Sequence, residues 1–166
     1  MLSDRRFLTW CLRQRSGIRI VKPSDNLARA YLKKSRNAMK SMEVNLDAGI
    51  YEWAISASYY AKYFVVYALL QKIGVKCEIH DCTISLFSYL FKDHIPARLS
   101  VQLRESKTER IEAQYYTEEI SVNRKEMVER TRGFVLKIEE LMDGLNAEKV
   151  SLLQKELRDI ARPKAG

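Results

Sequence analysis

The sequence has few of the residues that build common catalytic and metal sites. Its 166 residues include six glycines, three prolines, three cysteines and two histidines. These glycines form no glycine-rich phosphate loop, which excludes a nucleotide hydrolase of the P-loop kind. The histidines, His80 and His94, provide neither a Ser-His-Asp triad nor the paired Glu-x-x-His motifs of a di-iron bundle.

Long apolar runs are also missing. The longest stretch without a charged residue, Cys82–Phe91, has ten residues, whereas a membrane-spanning helix needs about 20. Arg5 and Arg6 are not followed by the apolar segment of a secretory signal. The odd number of cysteines shows no disulfide pattern. We therefore expect no contact with a membrane, a cytoplasmic location and reduced cysteines.

A metal site is not expected either. Cys77, His80 and Cys82 lie within six residues, but no second pair of ligands follows at zinc-finger spacing, and His94 is the only other candidate nearby. We therefore predict no metal and no cofactor. His80 is interpreted as a loop residue that bonds to backbone rather than as a catalyst.

Basic residues are concentrated at one end of the chain. Residues 1–40 carry a net charge of +9, whereas the remaining 126 residues carry −1. Such an uneven charge is typical of a surface that contacts nucleic acid or an acidic protein, although a solvated face that aids solubility is equally compatible. The candidate residues for attracting RNA lie on one predicted helix: Arg29, Lys33, Lys34 and Arg36.

The apolar pattern predicts helices throughout. Ile50–Ile73 is apolar on nearly all sides, which is typical of a helix buried at the centre of a domain, and Gly74 is a suitable C-terminal cap. Further helices are predicted over about Ser3–Arg15, Asn26–Asn45, a segment capped by Asp81, Ala97–Tyr116, a segment opened by an Asn123/Glu126 capping box, and Ala147–Arg162. No segment shows the alternation of a strand.

These elements predict an all-α fold, an antiparallel bundle of four to five helices. We divide the chain into a basic, helical N-terminal extension (1–23), the bundle (24–145) and a helical tail (146–166). The apolar stripe of the tail is expected to dock on the bundle, or alternatively on a partner helix.

One charged residue lies on an apolar helix face. Leu99, Leu103, Ser106, Arg110 and Ala113 fall within about 80° of one another on a helical wheel. A guanidinium on this face needs a carboxylate, backbone carbonyls or an anionic ligand, because burying it alone is costly. Either it pairs with a bundle carboxylate such as Glu43, Glu52 or Glu109, or extends past the helix end into solvent, or it forms an anion site suited to phosphate.

Several stretches resemble the HEPN domains (higher eukaryotes and prokaryotes nucleotide-binding). The resemblance covers roughly Leu27–Met142, and its most recognisable part is Ser58-Tyr59-Tyr60-Ala61, followed by Ala68-Leu69-Leu70 and Gly74. It rests on LARAYLKKSRNAM, AISASYYAKYFVVYALLQKIGVKCEIH, TISLFSYLF and TERIEAQYYTEEIS. The resemblance implies a helical bundle that forms a homodimer and is often encoded beside a minimal nucleotidyltransferase in toxin–antitoxin pairs.

The resemblance also implies candidate site residues. Many family members are metal-independent ribonucleases with an Arg followed four to six residues later by a His. Arg110 matches this Arg, but Tyr115 stands where the His is expected, and Tyr116 follows it; the subfamily that the chain most resembles often has Tyr there. Tyrosine is a poor general base at neutral pH, yet it can donate a hydrogen bond to phosphate or stack on a base. Arg110 and Tyr115 are therefore the candidate catalytic residues, and with Tyr116 and Ser106 they are the candidate phosphate-binding residues.

Three functions remain open from the sequence. The first is a helical module that binds nucleotide or RNA phosphate and pairs with a nucleotidyltransferase. The second is a ribonuclease toxin in which another group replaces the missing histidine. The third is a module that only binds a protein partner through its tail stripe and basic face.

Overall fold

The computed structural model describes residues 2–117 and 120–161, with side chains described for 5–117 and 120–160. Within these ranges the chain forms seven helices and two short strands. In chain order they are α1 (Leu2–Arg13), β1 (Arg19–Ile20), α2 (Asp25–Asp47), α3 (Tyr51–Lys72), β2 (Val75–Lys76), α4 (His80–Leu90), α5 (Ala97–Tyr115), α6 (Arg124–Asp143) and α7 (Ala147–Ala161). The predicted helical bundle is confirmed.

The central helix is α3, as its composition predicts. Fifteen of its 22 residues are buried, and it packs against α2, α5 and α6. Small residues along α3 allow close approach of its neighbours. The buried hydroxyl of Ser35 on α2, for example, donates a hydrogen bond to the Ala61 carbonyl at 2.7 Å. Since α2 precedes α3 directly, this pair forms a helical hairpin at the core of the bundle.

The two strands were not predicted. Arg19 pairs with Lys76 and Ile20 with Val75 in an antiparallel ladder. This ladder ties the segment before α2 to the segment after α3. Two-residue strands are too short to show the alternation of side chains by which a strand is recognised in a sequence.

Several helix ends follow their predicted chemistry. Gly74 follows α3 with a φ of +74°, a conformation that L side chains rarely adopt, and a Cβ there would collide with the Val21 carbonyl. The Asn123 side chain accepts a hydrogen bond from the Glu126 amide at the start of α6. The predicted Asp81 cap is wrong: α4 begins at His80, and Asp81 lies in its first turn, where it pairs with Lys107.

Both terminal helices pack on the bundle. Leu8 of α1 and Leu153, Leu157 and Ile160 of α7 are buried in the same apolar cluster as α3. The helix α1 contacts α4 and α7, and α7 also contacts α4. Docking of the tail on its own bundle, one of the two predicted outcomes, is confirmed.

The cysteines differ from the sequence expectation. Cys11 of α1 and Cys82 of α4 form a disulfide, and only Cys77 is free. The expectation of three reduced cysteines is therefore wrong for this pair, which a separation of 71 residues hides in the sequence. The bond also removes Cys82 from any set of metal ligands.

Among the described residues, no three metal-ligating side chains are grouped to hold an ion. None of the described helices is long and apolar enough to cross a bilayer.

Candidate anion-binding site

Arg110 lies on the inner side of α5 and is half-buried against α3. Its Nη1 donates a hydrogen bond to the hydroxyl of Tyr60 at 3.1 Å. Its Cζ lies 5.5 Å from the Tyr59 ring centre and 5.8 Å from that of Tyr60, so both rings face the cation. The Nε atom is buried and has no hydrogen-bond partner. The guanidinium is thus held in place while part of its donor capacity is unused.

No carboxylate neutralises this guanidinium in the part of the chain that the structure describes. Glu43, one of the partners considered from the sequence, pairs instead with Arg132, and no ion pair joins Glu52 or Glu109 to Arg110. A half-buried cation without a counter-ion has already lost part of its hydration on folding. It therefore gains more from an anionic ligand than an exposed arginine does.

His80 joins the same group of side chains. The prediction of a loop residue bonded to backbone is wrong, because His80 begins α4 and bonds to a side chain. Its Nδ1 lies 2.6 Å from the hydroxyl of Tyr59, and its ring stacks on Tyr63 with the ring centres 4.2 Å apart. We call Tyr59, Tyr60, His80 and Arg110 the Arg110 cluster. In the sequence the Tyr-Tyr pair carries the family resemblance; its contact with His80 depends on the position of His80 at the start of α4, facing α3.

The Tyr59 hydroxyl determines which nitrogen of His80 carries a proton. Tyr59 is fully buried, burial raises its pKa far above the usual value for a phenol, and His80 is its only described hydrogen-bond partner. The phenol therefore donates to Nδ1, which leaves the proton of a neutral imidazole on Nε2. Burial, and next the positive charges of Arg110 and Lys107, lower the pKa of His80, while Asp81 opposes them. At neutral pH His80 is thus a hydrogen-bond donor at Nε2, not a base.

An aromatic path connects the Arg110 cluster to the basic face of α2. Phe64 stacks on Tyr60 with the ring centres 5.6 Å apart, and the Lys34 ammonium lies 5.4 Å from the Phe64 ring centre. All four predicted RNA-attracting residues (Arg29, Lys33, Lys34 and Arg36) are exposed on α2. Arg36 is partly neutralised by Glu139 at 2.9 Å. Lys34 therefore shares a surface with partly exposed rings, whereas Arg29 and Arg36 lie towards α6, where both line a cavity with Glu139.

The other predicted site residues lie apart from Arg110. Ser106 is buried and accepts a hydrogen bond from Lys62 at 2.7 Å, so it belongs to a different polar group. Tyr115 and Tyr116, at the C-terminal end of α5, are 75% and 64% exposed. No described hydrogen bond or ring contact joins either tyrosine to the Arg110 cluster.

The comparisons with known proteins identify the family. No curated protein and no solved structure matches the chain. The model of the HEPN domain matches residues 28–145, which include α3, α4, α5 and hence the whole Arg110 cluster. The chain belongs to the HEPN domain family.

Proposed function

We propose that the Arg110 cluster binds the phosphate of a nucleotide or RNA. The observation that carries the proposal is the half-buried guanidinium of Arg110, which finds neither an acceptor for its Nε nor a carboxylate partner among the described residues. Its planar fork suits two phosphate oxygens. The Tyr60 hydroxyl contacts the guanidinium, and the Nε2–H of His80 belongs to the same cluster; both are neutral donors, so they can add hydrogen bonds without adding charge.

Lys34 of α2 extends this site for a polymer. In space, Lys34 contacts the Phe64 ring, Phe64 stacks on Tyr60, and Tyr60 bonds to Arg110. Aromatic rings stack on unpaired bases, and exposed lysines and arginines attract the backbone without sequence preference. Binding through such contacts weakens steeply as salt displaces the released counter-ions. Single-stranded RNA fits this surface better than a free nucleotide does.

Membership of the HEPN family supports the remaining parts of the proposal. We infer a homodimer that pairs with a minimal nucleotidyltransferase in a toxin–antitoxin-type system. Tyr115 and Tyr116 are exposed at the end of α5. In this proposal the two tyrosines lie outside the Arg110 cluster, and they position the phosphate of the bound RNA or stack on one of its bases.

The test compares two arginines of the same helix. Arg110→Met removes the fork, whereas Arg104→Met removes an exposed charge elsewhere on α5. Hydrogen bonds to charged groups contribute about 1.5–3 kcal/mol, so Arg110→Met is expected to weaken binding of a fluorescent single-stranded RNA by about 10- to 100-fold. Arg104→Met should change it by less than about threefold. Equal affinities of both variants in fluorescence anisotropy, with unchanged circular dichroism, would reject the site.

A metal-independent ribonuclease is the second candidate, because His80 brings an imidazole to Arg110 although none follows Arg110 in the sequence. Against it stands the Tyr59 hydrogen bond, which leaves His80 without a free basic nitrogen at neutral pH. RNA incubated with the protein in EDTA decides between the candidates. Cleavage that disappears in both Arg110→Met and His80→Gln would establish the ribonuclease; intact RNA that remains bound supports the binding module.

A further inference from the structure

A second polar group lies on the side of α3 that faces α6. Lys62 is only 4% exposed, and its Nζ donates hydrogen bonds to Ser106 at 2.7 Å and Ser58 at 3.1 Å. The Ser58 hydroxyl in turn lies 2.8 Å from that of Thr131 on α6. Among the described residues, no carboxylate forms an ion pair with Lys62. This buried amine is therefore surrounded by neutral hydroxyls.

The hydrogen bonds around Lys62 match an uncharged amine. An ammonium has three N–H donors, and the described acceptors account for two of them. A neutral amine has two N–H groups and a lone pair, so both donors are satisfied and the lone pair remains available. Burial, and secondarily the charge of Arg130, lower the pKa of Lys62 to about 8, although Glu109 and Glu105 act in the opposite direction.

A cavity gives small molecules access to this amine. Its volume is about 280 Å³, and its lining includes Lys62, Glu109, Asn123, Glu126 and Arg130. Since one water occupies about 30 Å³ in the liquid, the cavity has room for a molecule of several non-hydrogen atoms. The carboxylates of Glu109 and Glu126 in this lining disfavour an anionic ligand, but carboxyl groups transfer protons well. A neutral electrophile fits this lining better than a phosphate does.

We propose that Lys62 is a nucleophilic lysine that captures small aldehydes or ketones in this cavity as a Schiff base. The Nζ lone pair attacks the carbonyl carbon, and one N–H proton passes through the Glu109 carboxylate to the carbonyl oxygen, which gives a neutral carbinolamine. Loss of water with the remaining N–H proton forms the C=N bond, with no oxidation or reduction. Glu109, on the adjacent α5, is the group placed to carry these protons. A desolvated lysine beside another cation is a known way to activate this amine.

The experiment uses the whole chain with propanal as the probe and borohydride to trap the imine, read by peptide mass spectrometry. At pH 7.5 an amine with a pKa of about 8 is neutral in about a quarter of molecules, against about one in a thousand for an ordinary lysine. Lys62 is therefore expected to be labelled at least about tenfold faster than the exposed Lys33 and Lys40. Labelling of Lys62 no faster than of these two residues would overturn the proposal.

Substitution of Lys62 itself could unfold the chain, because this residue is in the core. The mechanism is therefore tested with variants of exposed residues. Glu109→Gln alters an exposed residue, and Glu112→Gln, on the same helix but not lining the cavity, is its control. Loss of the Glu109 charge should move the midpoint of the labelling rate to lower pH. Above that midpoint, where the amine is neutral in both proteins, loss of the proton carrier should slow labelling by about threefold or more. If both variants label as the unmodified chain does, Glu109 is not the proton carrier and the proposed mechanism is wrong.

Discussion

The disulfide between α1 and α4 allows a quantitative test of the fold. Cys11 and Cys82 are separated by 71 residues. In the chain-entropy model, a cross-link over such a span restricts the unfolded chain by about 4.4 kcal/mol at 25 °C, and measured effects typically fall at about 2–4 kcal/mol. We therefore expect reduction to lower the free energy of unfolding by about 2–4 kcal/mol. This is a large share of the roughly 5–15 kcal/mol that stabilises an ordinary domain.

Urea unfolding followed by circular dichroism, with and without a phosphine reductant, measures this difference. Cys11→Ala serves as the control that cannot form the bond, so reductant should leave its unfolding curve unchanged. Cys77→Ala keeps the bond and should respond as the unmodified chain does. Denatured, unreduced protein is expected to present one reactive thiol, that of Cys77. Three reactive thiols, or a free energy of unfolding that reductant does not alter, would refute the reasoning.

Three further predictions concern the bundle. Phe134→Ala removes a ring that is 1% exposed and should cost about 3–5 kcal/mol of unfolding free energy in urea, whereas Leu136→Ala, which is 59% exposed, should cost less than about 0.5 kcal/mol. Ser24→Ala removes the side chain that caps α2 and should cost about 1 kcal/mol in the same assay; no measurable loss would contradict the cap. At Lys62, whose pKa is about 8 in the folded chain and about 10.5 when unfolded, the unfolded state binds more protons between these values. The raised pKa values of the buried Cys77 thiol and Tyr59 hydroxyl act against stability above about pH 9. Measured against a variant without the amine, the unmodified chain should therefore gain stability with pH from about 8 to 10, by up to about 3 kcal/mol. Lys62→Met serves as this variant in pH-dependent urea unfolding, and a difference between the two chains that stays constant with pH would contradict the prediction.

Much of the fold follows from local patterns. The apolar positions of Ile50–Ile73 lie all around the helix, and only a helix at the centre of the bundle can bury all of them. The helix α3 occupies that position. Asn123 caps α6 because its side chain reaches an amide three residues on, a contact that needs no tertiary structure. The position of Arg110 on an apolar stripe was likewise visible from helical spacing alone.

The rest depends on contacts between distant segments. His80 meets Tyr59 only because the start of α4 lies against the middle of α3, and no local spacing encodes that approach. The disulfide between Cys11 and Cys82 likewise joins distant segments. So does the hydrogen bond that Lys62 of α3 donates to Ser106 of α5. Ser106 and Arg110 share a helix face, but Ser106 bonds to Lys62 whereas Arg110 bonds to Tyr60.

The position of the terminal helices has a practical consequence for any work with shortened chains. Leu8, Ile18, Leu153 and Leu157 lie outside residues 28–145, the span matched by the family model, yet they are fully or nearly fully buried. A recombinant fragment trimmed to that span would uncover the apolar side of α4 and is expected to self-associate or fail to express. The unit that folds is therefore longer than the unit that is recognised.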